Sequence, residues 1–247
     1  MNNEVYNTLM NHRSIRSYTD RPVSDMDLQQ IIESVQAAPS SINGQQVTVI
    51  SVQDPATKAK IAELAGNQVW IAQAPVFLLF CVDYNRARIA ADLNGEELVI
   101  TDAVESLIVG AADVGLAMGN AIAVAESLGL GIVPIGGARR QPLELIELLG
   151  LPEYVFPVSG LVVGHPADLS EKKHRLPQAA VWHKEKYHTE DLEELIKHYD
   201  EEVSAYMQKR TGGKESRNWS QTISSFYNRI YYPQVRQMLE QQGFDFK

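Results

Sequence analysis

A run of seven residues near the start of the chain, His12–Tyr18, concentrates side chains that can bind an anion. It contains three potential cations, His12, Arg13 and Arg16, together with the hydroxyl group of Ser14. An arginine can hold a phosphate through two parallel N–H···O bonds, and serine or backbone N–H groups can complete the cage. The same composition is common in solvated turns between helices, so the run alone leaves both interpretations open.

Two further groups of cations lie in the C-terminal third of the chain. Lys172–Arg175 is a basic tetrad, which by itself is typical of a solvated loop. Arg210, Lys214 and Arg217 surround the pair Gly212–Gly213. Cations spaced along a flexible loop can clamp a second phosphorylated ligand, and they are also found in ordinary exposed loops.

The pair Gly136–Gly137 directly follows the run Gly131–Ile135, which has the composition of a β-strand. Because glycine has no Cβ atom, backbone N–H groups at such a pair can approach a flat ligand closely.

The cations stand in a chain that is acidic as a whole. Its 22 Lys and Arg residues face 31 Asp and Glu residues over 247 positions, which leaves a net charge of −9. A dedicated nucleic-acid binder is normally basic, so DNA, RNA and anionic membranes are not expected as the main partner. Small cationic pockets remain compatible with this balance.

Targeting and membrane segments are not expected. Met1–Glu4 lacks a basic region followed by an apolar run, so no signal peptide is predicted. Val69–Val82 is shorter than the ~20 residues of a bilayer span. Acidic residues interrupt the longer run Val104–Leu128, so both runs are predicted to lie in a soluble core. The single cysteine, Cys81, fits a reducing cytoplasm and excludes an internal disulfide.

The sequence lacks complete versions of other familiar nucleotide-binding and catalytic motifs. Gly129–Pro134 begins like a dinucleotide fingerprint, but a helix precedes its glycines and a strand follows, which is the inverse of the required order. None of the six histidines lies in an HExxH context, so a metal site is not expected. Cys81 lies in the most apolar strand and is predicted to be a small buried hydrophobe rather than a reactive thiol.

Periodicity and capping residues predict alternating helices and strands. The predicted strands are Val47–Val52, Val76–Val82, Gly131–Ile135 and Phe156–Gly164. The predicted helices are Val5–Asn11, a helix N-capped by Ser24 that ends near Pro39, Asp54–Ala65, Asp102–Leu128, Gln141–Gly150, Asp191–Arg210 and Ser220–Gln242, the last kinked at Pro233. Asp102–Leu128 is apolar nearly all round, so it is expected in the centre of the domain or in a subunit interface.

Composition changes after His165–Pro166, where Lys, Glu, Gln and Tyr become frequent. The chain is therefore predicted to be one domain, with an α+β body over residues 1–165 and a helical C-terminal arm over residues 166–247.

Five segments, in their order along the chain, resemble the FMN-dependent nitroreductases. The resemblance is to their NADPH-preferring branch in particular, the group A nitroreductases and flavin reductases. The resemblance covers the whole chain, including Trp219–Ser220 after the basic loop. The segments that carry it are His12–Tyr18, Ala38–Gln46, Glu126–Gly131, Ile135–Gly137 and Lys173–Pro177.

The resemblance implies a nitroreductase-like α+β fold around a mixed central sheet and a homodimer with one FMN per subunit at the interface. It also implies ping-pong hydride transfer from NADPH to FMN and then to a quinone, flavin, nitroaromatic or azo acceptor. The flavin carries the chemistry, so no catalytic side chain and no metal are expected.

Site residues follow from the same resemblance. Arg13 is expected at the FMN phosphate, and the Gly137 amide at the N5/O4 edge of the flavin. Arg16, Gln68 or Lys173 is expected to stabilise negative charge near N1 of the reduced flavin. His174 stands where relatives often have proline. The full set of expected FMN contacts is His12, Arg13, Ser14, Arg16, Ser40, Ser41, Gln68, Ile135, Gly136, Gly137, Lys173 and Arg175.

Arg210, Lys214 and Arg217 are expected to bind the 2′-phosphate of NADPH. Glu215 follows Lys214 directly, and a carboxylate repels a neighbouring phosphate. The preference for NADPH over NADH is therefore expected to be narrower than in relatives without this carboxylate.

Two other functions remain open at this point. One is a flavin-binding sensor or carrier without turnover, and the other is a related flavoenzyme with different chemistry, such as reductive dehalogenation or flavin fragmentation. The long C-terminal arm with its basic loop favours the NADPH-dependent reductase over both. The sequence does not identify the physiological acceptor.

Overall fold

The computed structural model describes residues 3–246, so part of the Met1–Glu4 segment lies outside it. Ten α-helices and four strands occur within this range. The strands are β1 (Val47–Val52), β2 (Val76–Asp83), β3 (Gly131–Ile135) and β4 (Val155–Gly164). The helices are α1 (Glu4–Met10), α2 (Asp25–Gln36), α3 (Pro55–Leu64), α4 (Val69–Gln73), α5 (Asn85–Asn94), α6 (Glu105–Ser127), α7 (Pro142–Leu149), α8 (Leu192–Thr211), α9 (Trp219–Tyr227) and α10 (Val235–Gln241).

The four strands form one sheet in the order β1-β2-β4-β3. All three strand pairs are antiparallel, so the expectation of a mixed sheet is wrong for these strands. Parallel pairing among residues 3–246 is limited to one bridge, between Ser14 and Ile132. The His12–Tyr18 segment runs beside β3 for this single step and therefore does not become a fifth strand.

Both faces of the sheet are covered. Alternate residues of β2 enter different apolar clusters, because successive strand residues point to opposite faces. Phe77 and Leu79 pack on one side with residues of α3, α4, α7 and α10. Leu78 and Phe80 pack on the other side with residues of α2 and α6. Consecutive apolar residues in this segment therefore mark a strand that is buried on both faces, as predicted.

Local capping signals agree with the observed helix ends. The Ser24 side chain accepts a hydrogen bond from the Asp27 N–H group, and Asp54 accepts one from Thr57. Gly150 ends α7 in the left-handed conformation. Cys81 is fully buried, and burial raises the pKa of its thiol, which confirms the prediction of a small buried hydrophobe.

The chain divides into two compact units, and the division differs from a single arm over residues 166–247. The second unit comprises residues 172–233 and contains α8 and α9. Residues 234–246 belong to the first unit, where Leu239 and Phe244 are buried in its core. The predicted single helix Ser220–Gln242 is wrong because α9 ends at Tyr227, well before Pro233. Tyr232 also has a left-handed φ of 55°, which a helix does not tolerate.

Helix α6 is the one described helix that is long and apolar enough to cross a membrane, with a mean hydropathy of 1.8 in its most apolar stretch. Residues of α6 such as Val114 and Met118 pack against the sheet. Its acidic residue Asp113 accepts a hydrogen bond from Gln46, and Glu126 lies within hydrogen-bond distance of His12. These contacts are typical of a helix that packs inside a protein fold. The rest of the chain covers only part of the surface of α6.

Candidate functional site

The cationic segment His12–Tyr18 is held against β3 by Ile15. The Ile15 side chain is buried, and its N–H group donates to the Ile132 carbonyl over 2.8 Å. The fit requires glycine at position 131, where a Cβ atom would lie only 2.7 Å from Cγ1 of Ile15. The Ser14 carbonyl also accepts a hydrogen bond from the Ser170 hydroxyl over 2.9 Å. The segment is therefore positioned by its apolar residue and its backbone.

His12 and Arg13 occupy defined positions in this segment. The Nδ1 atom of His12 lies 2.7 Å from Oε1 of Glu126, in the last turn of α6. Arg13 and Glu126 both line a cavity of about 460 Å³, to which α1 and the Gly129–Gly131 turn also contribute. The cations expected from the sequence thus lie next to a carboxylate, Glu126, that is not among the expected site residues.

Arg16 is exposed and lies over an aromatic ring. Its guanidinium carbon is 5.6 Å from the centroid of Trp70, a distance typical of a cation–π contact. The indole Nε1 of Trp70 is buried and has no hydrogen-bond partner among the described residues. A buried donor without a partner is rare in proteins, and a bound ligand can satisfy it. Trp70 stands two residues after Gln68, so α4 places Arg16 and Gln68 in the same region.

Gln68 contacts the Gly136–Gly137 turn. A Cβ atom at Gly137 would lie 2.5 Å from the Ala65 carbonyl oxygen and 2.6 Å from Nε2 of Gln68. Gln68 is itself held by a 2.9 Å hydrogen bond to that same carbonyl. The structure therefore brings together two elements that the sequence analysis assigned separately to the flavin. Ile135 faces the core and is 1% exposed, so it can reach a ligand only through its backbone.

The Ser40–Ser41 segment is anchored by Asp113 of α6. The Ser41 N–H group donates to Oδ2 of Asp113 over 3.1 Å, and Nε2 of Gln46 donates to the same oxygen over 2.7 Å. Ser40 accepts a hydrogen bond from the Gln45 N–H group over 3.2 Å. Asp113 is 4% exposed, so its carboxylate is a buried anchor rather than a ligand contact.

The loop that follows carries unusual backbone strain. Ile42, Asn43 and Gln45 all have left-handed φ values, of 49°, 56° and 51°. Each such residue other than glycine costs free energy, and strained residues of this kind cluster at functional sites. Asp113 supplies the hydrogen bonds that hold the loop in this conformation. In the sequence, Asp113 is an isolated carboxylate in a long apolar helix, and that pattern indicates only that the helix is not a membrane span.

The first unit thus contains a group of features that fits a phosphorylated, flat cofactor such as FMN. The cations of residues 12–16 suit a phosphate. The Gly136–Gly137 turn can present backbone N–H groups, and a side chain at position 137 would fill the space beside Gln68. Trp70 adds an unsatisfied indole donor.

The second unit has a cationic, aromatic cavity of about 420 Å³. Its cations come from segments that the sequence analysis assigned to two different cofactors: Lys173 and Arg175 to FMN, Arg210 and Arg217 to NADPH. The structure places all four around one cavity, whereas Lys214 is exposed and does not line it. The lining residues are Lys173, His174, Arg175, Tyr199, Val203, Tyr206, Met207, Arg210, Glu215, Arg217, Asn218, Trp219 and Thr222.

This cavity also contains the predicted carboxylate. Oε1 of Glu215 accepts a hydrogen bond from the Arg217 N–H group over 3.3 Å, so the carboxylate is held beside the cations. The cavity lies at the first turn of α9, where Asn218 and Gln221 form a capping box. A helix N-terminus favours anions, and the four cations that line the cavity favour them further. Glu215 acts in the opposite direction.

Comparison with known proteins is consistent with both units. The family model described as the nitroreductase family matches residues 9–165, and that of its C-terminal domain matches residues 173–247. The FMN reductase (NAD(P)H) of Bacillus subtilis (strain 168) is 65% identical over 244 residues, which is 98% of each chain.

Two solved structures are also similar. NfrA2 of B. megaterium has a TM-score of 0.97 and 63% identity, and the match covers 100% of both chains. The NADPH:FMN oxidoreductase of Vibrio harveyi in complex with NAD+ has a TM-score of 0.89 and 35% identity, with 99% of this chain and 100% of that chain covered.

The contact between Gly137 and Gln68 can be tested by adding one methyl group. We expect Gly137→Ala to lower the free energy of unfolding by about 1–3 kcal/mol, because the Ala65 carbonyl is backbone and cannot move aside easily. Denaturant unfolding of the cofactor-free protein measures this difference.

Gly136→Ala is the matched control. A Cβ atom there would meet only Nη2 of Arg139, at 3.6 Å, which is an ordinary contact. We expect the control to change stability by less than about 0.5 kcal/mol. Equal effects of the two substitutions would show that the Gly137 contact is not tight.

Proposed function

The chain belongs to the nitroreductase family, and we propose that within it the protein is an NADPH-preferring flavin reductase that works as a homodimer. It is an oxidoreductase that uses FMN and NAD(P)H, in agreement with the name of the 65% identical relative. The observation that carries the proposal is the contact between Gln68 and the Gly136–Gly137 turn, close to the Arg16–Trp70 pair.

FMN, when bound, supplies the hydride transfer, and the protein supplies binding, orientation and electrostatics. We assign the phosphate end to the segment containing His12, Arg13 and Ser14. The backbone N–H groups of Gly136 and Gly137 are assigned to the flavin ring. The contact between Gly137 and Gln68 fixes the position of that turn.

A cation or N–H donor near N1 stabilises the negative charge that a reduced flavin gains. Arg16 and Gln68 are the candidates in the first unit, and the Trp70 ring restricts where the Arg16 guanidinium can lie. Ser40 and Ser41 are assigned to the same cofactor through the loop held by Asp113. The expectation that Lys173 and Arg175 contact FMN remains a prediction.

We assign the cavity of the second unit to the phosphorylated part of NADPH. Arg210 and Arg217 supply cations for the 2′-phosphate, while Glu215 opposes it by like-charge repulsion. A small preference for NADPH over NADH follows from these opposing charges. The relative named as an NAD(P)H enzyme and the V. harveyi structure with NAD+ support use of both nucleotides. Lys214 is retained only as a more distant contributor of positive charge.

The exposed face of α6 supports a homodimer. Ile108 and the preceding Val104 are about 60% exposed, at 60% and 58%. Gly115 and Gly119 lie on the same side, and a Cβ atom at either would meet nothing within 4 Å. Helical spacing places these residues within roughly 60° of arc, at ~100° per residue. An apolar face of this kind is typical of a subunit interface.

The acceptor is proposed to be a small oxidant such as a quinone, free flavin, nitroaromatic or azo compound, reached by ping-pong exchange after the nucleotide leaves. Hydride transfer requires no side-chain nucleophile, which suits a site that serves donor and acceptor in turn. The fully buried single cysteine is compatible with the reducing cytoplasm, which we propose as the location.

The visible spectrum tests the proposed function directly. We expect the purified protein to be yellow with about one FMN per chain, and to bleach within seconds of anaerobic NADPH addition. Colour should return when a quinone is added. A protein that binds FMN but does not bleach with NADPH or NADH would instead be a flavin sensor or carrier.

Arg210 provides the test of nucleotide choice. We expect Arg210→Ala to raise the KM for NADPH about tenfold, equivalent to ~1.4 kcal/mol, with little change in the KM for NADH. Initial rates at fixed acceptor concentration measure both constants. Lys209→Ala is the matched control, since Lys209 is the adjacent exposed cation and does not line the cavity. An equal effect of Arg210→Ala on both nucleotides would contradict binding of the 2′-phosphate.

The dimer surface is tested by introducing a charge. We expect Ile108→Glu to convert the dimer to a monomer in analytical ultracentrifugation, because an interface cannot bury an unpaired carboxylate without a large free-energy cost. Met26→Glu is the control, since Met26 is also exposed but lies in the first turn of α2, where a negative charge is tolerated. A dimer that survives Ile108→Glu would place the interface elsewhere.

A further inference from the structure

The carboxylate of Glu126 is an unusual group in the first unit. It lies in the last turn of α6, and its side chain is 12% exposed. Oε1 is 2.7 Å from Nδ1 of His12. Oε2 is buried and has no hydrogen-bond partner among the described residues. Of the two carboxylate oxygens, Oε1 therefore has a described hydrogen-bond partner, which is the ring of His12.

This placement is unfavourable for stability. The C-terminal end of a helix carries partial negative charge, so a carboxylate there is repelled by the helix dipole. A buried acceptor without a partner costs a further ~1–3 kcal/mol. An apolar side chain of similar volume would avoid both costs. Stabilisation of the fold alone does not account for glutamate at position 126.

The hydrogen bond determines the state of the His12 ring. An ionised carboxylate only accepts hydrogen bonds, so with Glu126 ionised the proton between the two groups is carried by Nδ1 of His12. Nε2 is then the ring nitrogen left for another partner, and the ring orientation is fixed. The partner can be a phosphate oxygen if Nε2 is protonated, or a ribityl hydroxyl if it is not.

We propose that Glu126 is a positioning residue for FMN binding, which orients His12 so that its Nε2 atom meets the phosphate–ribityl end of the cofactor. The proposal rests on the proposed function, in which residues 12–16 hold FMN. Glu126 itself does not touch the cofactor. A carboxylate behind a ligand-binding histidine is a general way to fix the tautomer and orientation of the ring.

The first test is a double-mutant cycle on FMN affinity. The holoenzyme is diluted to nanomolar concentrations, and the fluorescence of released FMN gives its dissociation constant. We expect Glu126→Met to raise this constant about tenfold, the lower end of the loss in metal affinity seen when the hydrogen-bond partner of a metal-ligating histidine is removed. Glu126→Gln, which keeps an acceptor for Nδ1, should stay within about threefold of the native protein, well below the Met variant.

His12→Asn should raise the FMN dissociation constant at least as much as Glu126→Met. Adding Glu126→Met to His12→Asn should then cause no further loss, because Glu126 acts through His12. Glu201→Met is the matched control, since Glu201 forms an exposed pair with His198 on α8. It should leave FMN affinity unchanged.

Thermal unfolding of the FMN-free variants separates positioning from a structural role. A positioning role predicts that Glu126→Met is at least as stable as the native chain while it binds FMN more weakly. Loss of FMN that only follows loss of stability would contradict the proposal. The proposal would also be contradicted if Glu126→Met raised the FMN dissociation constant equally in the native chain and in the His12→Asn variant.

The same measurements separate a failure of the positioning role of Glu126 from a failure of the assignment of His12 to FMN. If His12→Asn leaves FMN affinity unchanged, the assignment of His12 to FMN fails. If His12→Asn weakens FMN but Glu126→Met does not, only the positioning role fails.

A measurement on the native chain does not depend on any Glu126 variant folding. Long-range ¹H–¹⁵N correlation spectra report which ring nitrogen of His12 carries a proton, with the signals assigned by their loss in His12→Asn. We expect a protonated Nδ1. A ring protonated only at Nε2 would overturn the proposal.

Discussion

The docking of Ile15 against Gly131 is the contact on which the candidate site depends. It holds the cationic segment at the free edge of β3, through one buried side chain and one hydrogen bond to Ile132. The same strand leads directly into the Gly136–Gly137 turn. β3 therefore connects the end of the site that suits a phosphate with the end that suits a flat ring. A larger residue at position 131 would displace the cations without changing any of them.

Much of the architecture could be predicted from the sequence because local and tertiary preferences agree. Capping residues such as Ser24, Asp54 and Gly150 mark the ends where the helices do begin and stop. Consecutive apolar residues identify β2 as a strand covered on both faces. Short elements were harder to detect. Helix α4 has five residues and lies within the apolar run Val69–Val82, where its periodicity merges with that of the following strand.

The errors arose where tertiary contacts override local pattern. The region Ser220–Gln242 has helical composition, yet the chain leaves the helix after Tyr227 and returns to the first unit, where Leu239 is buried. The cations of the site were visible in the sequence because cations are uncommon in an acidic chain. The groups that position these cations and the Ser40–Ser41 loop were not. Trp70, Asp113 and Glu126 each looked like part of an apolar segment, and only the folded structure shows what they contact.

The two cavities share an electrostatic feature, since each places a carboxylate beside cations. Glu126 lines the cavity with Arg13, and Glu215 lines the cavity with Arg210 and Arg217. The roles differ because the hydrogen bonds differ. Glu126 is hydrogen-bonded to the imidazole of His12, whereas Glu215 accepts a hydrogen bond from the backbone N–H group of Arg217 and stays negatively charged beside the cavity. On the proposed assignments, Glu126 supports anion binding through His12, while Glu215 limits it.

Helix α6 links the cofactor site to the proposed subunit contact. Asp113 holds the strained Ser40–Ser41 loop and Glu126 holds His12, and these two carboxylates lie about 20 Å apart along the helix at ~1.5 Å per residue. The face that carries Ile108 and Gly115 is exposed in the single chain. A partner packed on that face would restrain the whole helix, and with it both anchors. On the proposed assignments, dimer formation and cofactor binding would therefore stabilise each other, since each restrains the same helix.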